Sequence, residues 1–257
     1  VADEVLRQRQ GQVEILTINR PEARNAINGA VSSAMSAALD ELADDEDVAV
    51  VVLTGSGDKA FSAGMDLKAF AAGEGGSIIG ASGGFAGITT RNFAKPIIAA
   101  VNGSALAGGC EIMLACDLVV AAEHATFGIP EVKRGLIAGA GALIRLPKRL
   151  PFAIALELAL TGDPIDAQRA MALGLVNKVV AADQVLEEAI SLGMRIAANA
   201  PLGVRYSKKV MREAGEVPEE LGWKMNDAAV SVVFSSADAM EGPVAFAEKR
   251  PPRWQGK

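Results

Sequence analysis

AGGCEIMLACD, residues 107–117, sits in the most apolar part of the chain and yet carries a carboxylate, Glu111. The segment around it, from Pro96 to Ala122, reads as core, and a buried carboxylate there needs a partner or a task. Gly108 and Gly109 precede the point where helical apolar periodicity begins. Amides in the first turn of a helix have no acceptor within it, and glycine lets another molecule approach them closely. That end of the helix suits negative charge, including an oxyanion formed during a reaction. Glu111 lies about one turn further on, where apolar neighbours Ile112, Met113 and Leu114 resist its ionisation and raise its pKa, as a general acid or base requires. The plain alternative is a Glu111 that faces outward or pairs with a basic residue.

On either side of this stretch the pattern alternates. Val13–Ile18 reads as a strand stopped by the turn Asn19-Arg20-Pro21, and helical spacing runs from Ala26 to about Leu42. Val48–Leu53, Ile97–Val101 and Leu118–Ala121 are uncharged runs of the kind buried on both faces of a sheet. Ala105–Cys116 and Phe152–Leu160 read as helices. Strands alternating with helices imply an α/β core. From Gln184 to Phe246 the pattern becomes nearly continuous helix, punctuated at Asn199-Ala200-Pro201, Gly215 and Pro218. The division expected is a core over 1–195 and a helical region over 196–257 of the same unit. Seven glycines between Gly73 and Gly87 predict a mobile loop, either a plain linker or a wall of a substrate pocket.

Composition narrows the function. The chain of 257 residues is 50% apolar and 22% charged, with a formal charge of −6 that argues against binding nucleic acid. The uncharged run Pro96–Cys110 is shorter than the roughly 18 residues a membrane span needs. No secretory pattern is read at Val1–Val5, and a cytoplasmic setting is expected. The single histidine, His124, reads as a surface residue. Cys110 and Cys116 are poorly spaced to bridge on one helix, so no metal site and no disulfide is expected. Asp44–Asp47 reads as a solvated turn. Gly55-Ser-Gly-Asp-Lys-Ala60 matches a dinucleotide fingerprint, but "FSAGMDL" follows where the fingerprint needs a helix.

A second acid, Glu131, lies in "FGIPEVKRG", where Gly128 and Pro130 shape a rigid loop. By itself it is an ordinary loop glutamate. Together with Glu111 it would make a pair able to manage a water, one accepting a proton and the other donating one.

Taken together, "AFSAGMDL" (60–67), "AAVNGSALAGGCEIMLACD" (99–117) and "FGIPEVKRGLIAGAG" (127–141) resemble the crotonase, or enoyl-CoA hydratase/isomerase, superfamily, with "NRPEARNAI" and "EGPVAFAEKRPPRW" in support. The likeness spans essentially the whole chain and is strongest to enoyl-CoA hydratase and carnitinyl-CoA dehydratase-like members. It implies an α/β fold, a spiral of ββα units with a helical C-terminal trimerisation region, and a homotrimer or dimer of trimers. It implies an acyl-CoA thioester as substrate, coenzyme A being part of that substrate and no other cofactor required. The activity implied is reversible addition of water across the C2–C3 double bond of a 2-enoyl-CoA; alternatives are carnitinyl-CoA dehydration, enoyl-CoA isomerisation or acyl-CoA binding without turnover.

The resemblance assigns the oxyanion hole to the amides of Met65 and Gly108 and catalysis to Glu111 and Glu131. It places CoA along Ala23, Arg24, Ala63, Met65, Asp66, Leu67 and Lys68, with Gly139 contacting the water. Phe246 and Lys249 would reach the CoA from a neighbouring subunit. Met65 replaces a customary alanine, and "GLIAGAGALIRL" lacks the proline and polar residues common in relatives.

Overall fold

Val50–Gly55 is buried at all six positions, as a β-branched run with no polar face requires. It is the third strand, β3, of a computed structural model that describes residues 3–257. The remaining strands are β1 (Val5–Gln10), β2 (Val13–Ile18), β4 (Ala60–Ser62), β5 (Ile97–Val101), β6 (Ser104–Leu106), β7 (Leu118–Ala122), β8 (Thr126–Gly128), β9 (Ile165–Asp166) and β10 (Lys178–Val180). The helices are α1 (Gly29–Asp44), α2 (Leu67–Ala69), α3 (Gly75–Ile79), α4 (Gly108–Ala115), α5 (Ala142–Arg149), α6 (Phe152–Thr161), α7 (Ala167–Ala172), α8 (Val185–Ala197), α9 (Pro201–Ala214), α10 (Glu219–Phe234) and α11 (Ala237–Glu248).

Two sheets share the strands. The larger has the order β1-β2-β3-β5-β7-β10 and is parallel except for the β1–β2 hairpin; the smaller has the order β4-β6-β8-β9 and is parallel except at β9. Consecutive strands alternate between them. β3, β5 and β7 enter the large sheet, β4, β6 and β8 enter the small one, and helical segments carry the chain back. Each turn of this ββα spiral therefore adds one strand to each sheet, and equivalent points of successive turns come to lie side by side.

Helix α8 covers the large sheet, contacting β2, β3, β5 and β7. Its Gly193 lies against Val13 and Val50, where even a methyl group would come within 3.1 Å of Val13. The outer strand β1 is polar, and its Arg7 and Arg9 each hold the buried carboxylate of Glu14 on β2 at 3.0 Å. Charged side chains on an edge strand also block pairing with another sheet.

Several sequence expectations change. Ala105–Cys116 is not helical throughout: Ser104–Leu106 is β6, and the helix opens at Gly108. A three-residue strand is too short for periodicity to register. β1, β4, β8, β9 and β10 escape for the same reason or for lack of an apolar face. The helical region has a further break, where Ser236 Oγ accepts from Ala239 N at 3.1 Å and caps α11. The glycine-rich stretch 73–87 is built of short helical turns, α2 running into α3 and a 3₁₀ turn at Phe85–Gly87, instead of the expected loop. Ile78 and Phe85 anchor it in the core, Gly83, Gly84 and Gly87 supply positive φ, and Arg91 binds Ser82 O, Gly87 O and Ser36 Oγ. Here glycine serves tight turning and close packing on α1. Among the described residues the α/β expectation holds, and after Gly55 the chain makes a turn into β4, so the dinucleotide fingerprint has no helix to open.

Gly109 has the least room of the described glycines: a Cβ there would lie 2.0 Å from Ser62 O of β4. Both partners are main chain, so Gly109→Ala forces apart α4 and β4. We expect a loss of about 2 kcal/mol and a fall in the thermal unfolding midpoint of roughly 5 °C, measured by circular dichroism.

Candidate active site

The three parallel strands of the small sheet end together. Ser62 pairs with Ala105, Ala105 with Phe127, and Leu106 with Gly128. Beyond those ends come Gly64-Met65, Gly108 with Glu111, and Glu131, so each spiral turn delivers one part of the site to the same place. Open parallel sheets generally bind ligands beyond the carboxyl ends of their strands.

Met65 is held by a turn that the sequence reading did not single out. Arg24 and Asn25 both take left-handed φ values of 54°. Asn25, fully buried, donates to Ala60 O at 2.7 Å and Ser56 O at 3.0 Å and accepts from Arg20 N at 3.0 Å. Ser62 Oγ donates to Asn25 O and accepts from Gly64 N, and Ala63 N donates to Arg24 O. Asn tolerates left-handed backbone because its side chain bonds locally, which is the signal "EARNA" carried. Ala23 and Arg24 are thereby brought against Ala63–Lys68. Asp66 caps α2 through Lys68 N and Ala69 N and pairs with Arg20 at 2.9 Å. Its carboxyl is pulled below the usual range because these two amides and Arg20 outweigh its partial burial, the largest single influence, which acts the other way.

Gly64 has φ 88°, and a Cβ on it would lie 2.7 Å from Gly108 N. The Met65 and Gly108 amides are thus neighbours. Ile27 N donates to Gly64 O and Asp66 N to Ile27 O; among the described residues neither Met65 N nor Gly108 N donates to a backbone acceptor. Two unpaired amides on adjacent turns can receive an oxygen that gains negative charge. Above Gly108 stands the ring of Phe85, which a Cβ would meet at 2.6 Å.

Glu111 is buried on α4. Its Oε1 accepts from Ala140 N at 2.7 Å and Ala142 N at 3.1 Å. Gly141, between those residues, has φ 114°, and a Cβ there would strike Arg145 Nη1. Burial pushes the Glu111 pKa up; the amides of the 140–142 loop and Arg145 act against it. Glu131, half-buried on the 3₁₀ turn Pro130–Arg134, has an Oε2 with no hydrogen-bond partner. Its pKa is also raised, first by burial and then by the charge of Glu111. Cys110 is pushed up to about 12 by burial and by both glutamates. Glu131 thus lies within electrostatic reach of Glu111, the proximity that a joint role in handling water would need.

Gly139 lines the adjoining cavity, while the amides that hold Glu111 come from Ala140 and Ala142. Phe246 and Lys249 are not brought here: Phe246 is 86% exposed, and no hydrogen bond or ion pair joins either side chain to the 63–68 segment. The hydrogen bonds of α11 and its tail tie that region to itself and to Ala198, through Asp238, Glu241 and Trp254. Cys110 and Cys116 are both free and buried. His124 Nε2 lies 2.9 Å from Asp58 O. No helix is long and apolar enough to cross a membrane among the described residues.

Known proteins resemble this chain over nearly its whole length. The profile of the family described as enoyl-CoA hydratase/isomerase matches residues 8–257. A carnitinyl-CoA dehydratase of Salmonella enteritidis is 43% identical over 254 residues, 97% of either chain. The crystal structure of an enoyl-CoA hydratase from Mycobacterium marinum superimposes with a TM-score of 0.95 at 50% identity, covering 99% of this chain and all of the other. A carnitinyl-CoA hydratase from Mycobacterium avium gives 0.79 at 47%, with both chains fully covered. With that match over nearly its whole length, and with its ββα spiral, the chain belongs to the enoyl-CoA hydratase/isomerase family, the crotonases.

Proposed function

We propose that the protein is an enoyl-CoA hydratase that adds water reversibly across the C2–C3 double bond of a 2-enoyl-CoA. The observation that carries this reading is the pair of carboxyls, buried Glu111 and half-buried Glu131, together with two unpaired amides. A thioester carbonyl seated on Met65 N and Gly108 N becomes more electron-poor, and the enolate formed by attack at C3 is stabilised there. Glu111 receives two amide hydrogen bonds, which favour its ionised form; Glu131 has none at Oε2 and feels the charge of Glu111, which favours its protonated form. Such unequal environments assign the roles. Glu111 takes a proton from water as its oxygen bonds to C3, and Glu131 gives its proton to C2 as the enolate collapses. Dehydration follows the reverse path.

CoA is proposed to lie along Ala23, Arg24 and Ala63–Lys68, with Gly139 N facing the water. Coenzyme A enters as part of the substrate, and no other cofactor is needed by these steps. The homotrimer or dimer of trimers, with Phe246 and Lys249 reaching a neighbour's CoA, belongs to the same proposal. Carnitinyl-CoA dehydration is a second reading, supported by the names of the relatives. Isomerisation needs one carboxylate to carry a proton between C2 and C4, so the retained pair favours hydration.

Crotonyl-CoA should lose its conjugated-thioester absorbance with the wild type and yield a water adduct by mass spectrometry. Glu111→Gln and Glu131→Gln should each lower kcat about 10³-fold; a product formed by isomerisation, or turnover undiminished in both variants, contradicts hydration by this pair. Gly64→Ala drives a Cβ into the Gly108 amide and should lower kcat by roughly 10²-fold or more with a smaller change in KM. A buried acid with a raised pKa binds its proton more tightly folded than unfolded, so its contribution to stability is present below the unfolded pKa and is lost as pH rises through the folded one. Glu131→Gln should therefore raise the unfolding midpoint at pH 8, with the gain shrinking towards pH 4 in differential scanning calorimetry.

A further inference from the structure

Beyond the loop that holds Glu111 lies a cavity of about 980 Å³. It shares two walls with the site already described. Phe85 stands over Gly108, and Ala140 donates to Glu111. From there it opens onto α5 and α9, where its lining carries Arg145, Lys148, Arg149 and Arg212 against a single carboxylate, Glu216. Glu216 is already paired with Lys148. Arg212 pairs with Asp117 at 2.7 Å behind the wall and also donates to Ala115 O. Arg149 donates to Cys116 O at 2.6 Å, and Arg145 to Thr89 O and Ala140 O. Neither Arg145 nor Arg149 has a carboxylate partner among the described residues.

Two half-buried guanidiniums with no carboxylate in direct contact form an arrangement that a bound anion would complete. Burial is the main influence pulling both below the ordinary arginine pKa, and the charge of Arg212 adds to it. A separate observation points the same way. Thr89, 1% exposed and also on the lining, has a hydroxyl with no hydrogen-bond partner. A guanidinium fork and a free hydroxyl together suit a carboxylate, which accepts at both oxygens. A trimethylammonium group needs an aromatic cage or a negative wall; this cavity has one aromatic ring, Phe85, and an excess of positive charge.

We infer that this cavity receives the far end of the acyl chain, and that the preferred thioesters end in a carboxylate instead of an alkyl or trimethylammonium group. This rests on the 2-enoyl-CoA reading above for the placement of the thioester. The charge of the cavity then separates this chain from the substrate named for its carnitinyl-CoA relatives.

Binding of saturated thioesters tests the inference without requiring turnover. Isothermal titration calorimetry would compare adipoyl-CoA with hexanoyl-CoA, suberoyl-CoA with octanoyl-CoA, and 4-trimethylammoniobutyryl-CoA with hexanoyl-CoA. We expect the carboxylate-ended ester of at least one length to bind about tenfold more tightly than its alkyl counterpart, and the trimethylammonium ester about tenfold more weakly. In Arg145→Gln, and separately in Lys148→Gln, the carboxylate advantage should fall to about twofold or less. The quantity read is a ratio within one variant, and an alkyl-ester affinity equal to that of the wild type shows that the pocket is intact. Equal affinities in the wild type at both lengths overturn the inference, as does a ratio untouched by both variants. Free adipate or inorganic phosphate raising the unfolding midpoint, with no preference among the thioesters, identifies a free-anion site and also overturns it. Preferential adipoyl-CoA binding by a protein that hydrates no enoyl-CoA would keep this inference and remove the hydratase reading.

Discussion

The contact between two stretches of main chain, Gly64 at the end of one spiral turn and Gly108-Gly109 at the start of the next helix, is the constraint on which the rest depends. Side chains at these points would lie 2.0 to 2.7 Å from neighbouring backbone or ring atoms. Because they are absent, β4 and α4 pack closely enough to set the Met65 and Gly108 amides beside each other. The same closeness fixes the start of α4, and so the place of Glu111 one turn later.

Around that contact the protein keeps its polar groups expensive and few. Asn25 satisfies three backbone partners from a left-handed turn, and Glu111 is held by two amides that Gly141 alone can present. Glu131 and Thr89 are exceptions, each with a buried oxygen left without a partner. Unpaired buried polar atoms are destabilising, and a strained or unsatisfied group retained in a site commonly marks function.

The cationic cavity beyond the 139–142 loop extends the same reasoning. Arg145 joins the Thr89 segment to that loop through two carbonyls, so it supports the cradle of Glu111 while presenting charge to the cavity. On the proposed reading, the placing of Glu111 and the recognition of the acyl end would both draw on this one side chain.

The amino-acid sequence alone determined the alternation of buried strands with helices, the helical last third, and the candidacy of Glu111, since these follow from local periodicity and from a carboxylate set among apolar residues. The order of motifs also identified the family, which the match over residues 8–257 establishes. Three-residue strands such as β6 were not legible, because three positions hold no period, and the glycine-rich turns at 73–87 read as mobile because sequence does not reveal that Ile78 and Phe85 anchor them. Only tertiary structure decided that Glu131 comes within electrostatic reach of Glu111, that Ala140 and Ala142 supply the amides that hold Glu111, and that Arg145, Arg149 and Arg212 line one cavity. These are contacts between distant segments, set by the register of parallel strands and the pitch of the spiral, and no local pattern encodes a distance of that kind.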